Sequence, residues 1–125
     1  MDKRSRRKNP LYRSFGYAFA GIFRTISGER NMKIHCFAAV MVVLFGIALH
    51  LSREEWFVCL ILFALVMSLE LVNTAVEATV DLATDKFDPL AKKAKDAAAG
   101  AVLVAAIFAA VIGLWIFVPK LLALI

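Results

Sequence analysis

Cysteine is nearly absent from this chain of 125 residues, and the two present, Cys36 and Cys59, fall inside apolar blocks. A free cysteine there behaves as a small hydrophobe, so neither is read as part of a disulfide or a metal site. The six glycines lie far apart, which excludes a P-loop and the glycine-rich loop of protein kinases. No internal repeat is visible. A cleaved leader does not fit either, because the opening residues are polar and basic and the first apolar block begins too late. The whole chain is expected to be mature protein. What is abundant is apolar surface, at 62% of residues against about 45–50% in a soluble domain. Three long apolar blocks separated by short charged segments predict a small all-α integral membrane protein.

The chain reads as a single domain over residues 1–125. Lys3, Arg4, Arg6, Arg7 and Lys8 have no apolar partners, so residues 1–10 are expected to form a basic tail. Leu11, Phe15, Phe19, Ile22 and Ile26 recur at steps of four and three, predicting an amphipathic helix over 11–27. Such a helix lies along a membrane surface or packs as an ordinary amphipathic helix. A first span is expected over 34–51, with His35 and His50 near its ends as interfacial residues rather than ligands. Ser52 and Glu55 form an S-x-x-E capping pattern ahead of Trp56, giving Glu55 a structural role and opening a second span over 56–83. Asp88 followed by Pro89 reads as an N-cap with proline at the first helical position, and a third span follows over 90–118. Trp56 and Trp115 suit an interfacial belt.

The formal charge is +5, and its placement decides its meaning. Nine Lys and Arg lie in residues 1–33, one in 50–55, four in 84–96 and one, Lys120, beyond the third span. Cytoplasmic loops retain positive charge, so the amino terminus and the 84–96 loop are expected to face the cytosol, with 50–55 and the carboxyl terminus outside. The excess charge then requires no nucleic acid.

Glu70, Asn73, Thr74, Glu77 and Asp81 interrupt the second span. At roughly 100° per residue they share one face about 100° wide, and a rise of about 1.5 Å per residue sets Glu70 roughly 21 Å and Glu77 roughly 31 Å from Trp56. The stripe therefore occupies the cytosolic half. Glu29, Arg30 and Asn31 before the first span, and Lys92, Lys95 and Asp96 at the start of the third, lie at the same level. Ionisable groups inside a membrane helix mark function, although carboxylates also pair with lysines merely to hold helices together. Clustered carboxylates repel unless a cation or proton intervenes. Mg²⁺ shared with a nucleotide's phosphates suits so few protein oxygens, lysine meets phosphate as a point charge, and one carboxylate can take the proton of a lipid hydroxyl during phosphoryl transfer. Two other classes compete: a proton relay in a small transporter and a structural or regulatory membrane subunit. Ala97, Ala101, Ala105, Ala109 and Gly113 put a small residue at every fourth position of the third helix, a pattern that lets helices approach closely. Three helices hardly seal so long a polar stripe, which predicts a homo-oligomer with sites at shared interfaces.

The phrases E-L-V-N-T-A-V-E-A-T-V-D at 70–81 and A-K-K-A-K-D at 91–96 resemble the signatures of the small prokaryotic diacylglycerol kinase family. The likeness extends over nearly the whole chain, and E-R-N-M-K-I-H at 29–35 is similar to that family's undecaprenol kinase branch. The resemblance implies a homotrimer of three-span subunits, each with a surface helix. It implies transfer of the γ-phosphate of MgATP to undecaprenol at the cytosolic face, with diacylglycerol as the alternative acceptor. By motif position, Glu70 would be the general base, Asn73 would support it, and Glu29 with Glu77 would hold Mg²⁺. Lys95 and Asp96 would contact ATP, Tyr17 of the G-Y-A-F-A-G segment would lie against it, and the loop from Lys86 to Asp88 would close over it. Where the family's arginine is expected ahead of the surface helix, this chain has Pro10, leaving Arg13 as the suggested substitute.

Overall fold

The computed structural model describes residues 10–125, so the expected basic tail, apart from Pro10, lies outside the described residues. Helix α1 (Leu11–Gly28) begins directly after Pro10, whose fixed backbone is compatible with a helix entry. Its apolar stripe divides in two. Ile22 and Ile26 are half-buried beside the buried Thr25, whose hydroxyl donates to the Gly21 carbonyl at 2.9 Å. Leu11, Phe15 and Phe19 remain largely uncovered.

One residue separates α1 from helix α2 (Arg30–Ala48): Glu29, with φ −102° and ψ 122°. Its N–H closes α1 on the Thr25 carbonyl at 2.9 Å, and its own carbonyl accepts from Lys33 in α2. The chain therefore turns at an acidic residue. The expected first span, 34–51, is shifted: α2 starts four residues earlier and stops at Ala48. His50 takes φ 55°, its N–H donates to the Ile47 carbonyl at 3.3 Å, and the Leu51 N–H reaches the Gly46 carbonyl at 3.0 Å. These two bonds form a Schellman motif, so His50 is the left-handed residue that ends the helix. Sequence alone hides this stop because Leu49 and Leu51 prolong the apolar run and no glycine marks it.

Leu51 folds back on Gly46. A Cβ built at Gly46 would lie 2.7 Å from Leu51 Cδ1 and 2.7 Å from Trp56 Cη2. Trp56 is half-buried here, joining α2 to α3 rather than serving only as an interfacial anchor. Gly46→Ala forces the leucine and the stiff indole apart. It is expected to destabilise the folded state by about 1–3 kcal/mol, measured as a lower denaturation midpoint in mixed micelles.

Helix α3 (Arg53–Ala83) has the expected capping box: the Glu55 N–H donates to Ser52 Oγ at 3.2 Å, and the Ser52 N–H to Glu55 Oε1 at 3.1 Å. The box adds residues 53–55 to the expected 56–83. Helix α4 (Pro89–Leu122) begins as expected, with Asp88 Oδ1 accepting from the N–H groups of Leu90 at 2.7 Å and Ala91 at 3.2 Å. It runs four residues past the expected end at 118, through Pro119. Proline removes one donor but leaves the carbonyls beyond it free to accept, and the Ala123 N–H bonds the Pro119 carbonyl at 3.1 Å.

Helices α3 and α4 are antiparallel and carry an ion pair at each end. Lys120 Nζ meets Glu55 Oε1 at 3.1 Å, and Lys95 pairs with Asp81. The rise per residue separates the two pairs by roughly 38 Å, close to the thickness of a bilayer with its interfaces. The small-residue stripe is only partly the packing seam. Ala105 is buried and Ala109 half-buried, but Ala97 and Ala101 are exposed, and the inward face also includes Ala94, Ala98 and Val102. A strict step of four drifts around a helix of 3.6 residues per turn, whereas the seam follows steps of three and four. Helices α2, α3 and α4 are each long and apolar enough to cross a membrane. Their outer faces carry exposed Phe37, Phe45, Phe57, Phe108 and Trp115.

Candidate active site

The polar stripe of α3 grades from buried to exposed toward the helix's C-terminal end. Glu70 is 2% and Asn73 6% exposed, Thr74 and Glu77 are half-buried, and Asp81 is open. Spacing alone set all five on one face; burial then separates their roles. The Thr74 hydroxyl donates to the Glu70 carbonyl at 3.1 Å, which is a local helix bond. The Asn73 amide donates from Nδ2 to Glu77 Oε1 at 3.3 Å. A carboxylate only accepts, so this bond fixes the amide orientation and leaves Asn73 Oδ1 free. Glu70 Oε2 and Asn73 Oδ1 are both buried without a hydrogen-bond partner. Two orphaned acceptors one helical turn apart call for a donor or a cation, because a buried unpaired polar atom costs about 1–3 kcal/mol.

Two further groups converge from outside α3. Glu29, half-buried at the α1–α2 corner, lies within electrostatic reach of Glu70, as does Glu77. Glu29 and Glu77 are thus the acids that act electrostatically on Glu70, while the fourth acid at this level, Asp81, is paired with Lys95. His35 was missed. Its Nε2 stands 3.9 Å from Glu70 Oε2, and the imidazole is 20% exposed. Because α2 begins at Arg30, His35 sits more than a turn inside the helix instead of at an interfacial end. It also lines an apolar groove of about 480 Å³ that passes between α2 and α4 over α3, from His35 and Met67 to Leu114 and Phe117.

A second cleft, of about 570 Å³, lies where α3 ends and α4 begins. Lys86, Asp88, Lys95 and Asp96 line it together with Asp81 and Lys92. The cleft therefore collects four of the residues expected to meet a nucleotide, three of them already engaged in part. Lys95 is paired with Asp81, and Asp96 with Lys92. Asp88 also serves as the N-cap of α4. Lys95 remains within electrostatic reach of the half-buried Glu77, which places the cleft next to the acidic stripe of α3. Tyr17 stands 63% exposed on α1 and is not among the described residues that line this cleft. The Arg13 guanidinium lies 6.0 Å from the centroid of the Tyr12 ring on its own helix.

Among the described residues no three His, Cys, Asp or Glu side chains stand close enough together to hold a metal ion by themselves. The donor set is instead carboxylates with the free amide oxygen of Asn73, all hard oxygens. That set fits Mg²⁺, which keeps several waters and shares its shell with phosphates, and it does not fit a structural zinc. A buried carboxylate beside an apolar groove and a lysine-lined cleft suits proton abstraction from an amphiphilic alcohol next to a polyphosphate.

Residues 16–117 match the family described as prokaryotic diacylglycerol kinase. The chain is 50% identical over 123 residues to the undecaprenol kinase of Bacillus subtilis (strain 168), an alignment covering 97% of this chain and 100% of that protein. It is 46% identical over 112 residues to a diacylglycerol kinase of Synechocystis, covering 89% of this chain and 64% of that relative. A diacylglycerol kinase of Pseudomonas aeruginosa is 33% identical over 90 residues, with 72% and 73% covered.

Proposed function

The chain belongs to the prokaryotic diacylglycerol kinase family of membrane-bound lipid kinases, and from that premise we propose that it transfers the γ-phosphate of MgATP to undecaprenol, giving undecaprenyl phosphate. The observation that carries this reading is Glu70, a carboxylate at 2% exposure with Oε2 unpartnered in the C-terminal half of a membrane-length helix. Such a group takes a proton from a hydroxyl brought to it through apolar surroundings. The groove beside His35 offers the acceptor's chain an apolar wall that ends near this carboxylate.

In this reading Glu29 and Glu77 would hold Mg²⁺, which would supply neutralisation of phosphate charge when bound. Asn73 orients Glu77 through its amide and offers Oδ1 to the same site. Lys95 exchanges Asp81 for a phosphate oxygen, and Asp96, Lys86 and Asp88 bound the nucleotide from the cleft, with Tyr17 against it. The amino terminus and this cleft face the cytosol, as the distribution of Lys and Arg favours. The helix α1 lies on the inner surface of a bacterial plasma membrane. A homotrimer covers the half-exposed flank of Glu77 and places the sites at shared interfaces.

Purified protein in mixed micelles with ATP labelled at the γ-phosphate is expected to label undecaprenol faster than diacylglycerol at equal mole fraction, as resolved by thin-layer separation. Faster labelling of diacylglycerol would reassign the acceptor. A proton-coupled transporter or a purely structural subunit predicts no label in either lipid.

A further inference from the structure

We propose that His35 is the positioning residue of Glu70: its Nε2–H holds Oε2 of the carboxylate and leaves Oε1 to face the acceptor hydroxyl. This inference rests on the lipid kinase reading and deepens it. Glu70 Oε2 is buried and has no hydrogen-bond partner, so a donor is missing. The donors on its own helix are committed. Asn73 Nδ2 goes to Glu77 and Thr74 Oγ1 to the Glu70 carbonyl, while Lys95 is held by Asp81 in the neighbouring cleft. Among the described residues His35 is the uncommitted donor at hand, 3.9 Å from the orphaned oxygen. A carboxylate only accepts, so the proton of the bond must come from the imidazole. Closing the gap to a hydrogen bond of about 2.9 Å needs a movement of about 1 Å. Catalytic hydrogen bonds are often this long before substrate binds.

The position of His35 in the fold supports the role. It is the one basic side chain lining the apolar groove, so it stands where the acceptor's chain gives way to its hydroxyl. With Oε2 restrained, the hydroxyl proton passes to Oε1 as the hydroxyl oxygen bonds the γ-phosphorus. The bond from that phosphorus to the β–γ bridging oxygen breaks, and ADP departs with its electron pair. Without His35 the carboxylate rotates about its last bond, and the reacting oxygen loses its alignment.

His35→Ala is expected to lower kcat on undecaprenol by about 10- to 100-fold, the range that a misplacement near 1 Å produces, with the KM for lipid and for MgATP changed less than about threefold. His35→Gln keeps an N–H donor near the same place and is expected to restore most of kcat. In a Glu70→Gln background, His35→Ala is expected to change the residual rate little, since groups that act as a unit are non-additive. A purely structural histidine would lower the rate in both backgrounds. The inference is overturned if His35→Ala keeps the wild-type kcat, if only the lipid KM rises, or if the loss is equal in the Glu70→Gln background. Inactivity of the unaltered protein on both lipids would instead remove the kinase reading. One readout is independent of turnover: the chain has two histidines, so imidazole nitrogen NMR resolves two rings. Glu70→Gln should shift one of them and leave the other, and two unmoved rings would mean that the contact does not exist.

Discussion

Glu70→Gln is expected to lower ATP-dependent phosphorylation of undecaprenol by about 10²- to 10⁴-fold, the usual worth of a positioned general base. The substitution keeps volume and shape while removing the lone-pair charge that accepts the proton. The fold should survive it, because a neutral amide is less costly than a carboxylate at 2% exposure. Denaturation midpoints in mixed micelles, measured beside initial rates, separate the two effects. Glu70→Asp keeps the charge but draws it back by one methylene, so it should fall between wild type and Gln. A folded Glu70→Gln variant that retains most of its rate would mean that another group takes the hydroxyl proton.

Glu77→Gln should act on the metal instead of the proton. Glu77 is half-buried, accepts from Asn73 Nδ2 at 3.3 Å, and lies within reach of both Glu70 and Lys95. Glutamine preserves the size and an acceptor for Asn73 but is a poorer ligand for a hard dication. The Mg²⁺ concentration for half-maximal activity is expected to rise at least about tenfold, as disturbance of even the outer partners of a metal site produces. At saturating Mg²⁺ part of kcat should return, and the KM for undecaprenol should hold. Titration of Mg²⁺ at fixed ATP reads the shift directly. An unchanged Mg²⁺ requirement would remove Glu77 from the metal shell and leave it as a partner of Asn73 alone.

Much of the site was legible before any tertiary contact. The steps of three, four, seven and eleven from Glu70 placed the stripe on one face, and in the structure Glu29 and Glu77 each act electrostatically on Glu70. The caps at Ser52 and Asp88 were also readable, since each is closed by bonds spanning three residues or fewer. Three features were not. The end of α2 is hidden because a histidine, not a glycine, takes the left-handed conformation. The continuation of α4 past Pro119 is hidden because the helix end is decided across the bundle, where Lys120 reaches Glu55. His35 is hidden because α2 is apolar on nearly every side and so carries no stripe to indicate its rotation.

The order of residues by itself determined four helices, the caps at Ser52 and Asp88 and the acidic face of α3, because periodicity and these caps are settled within a few positions along one backbone. Tertiary structure alone decided that His35 meets Glu70 across thirty-five positions of chain, that Lys95 turns to Asp81, and that Trp56 closes over Gly46. Each of these depends on how two helices are rotated and set against each other. That choice comes from packing summed over whole helix faces, which no local stretch of sequence contains.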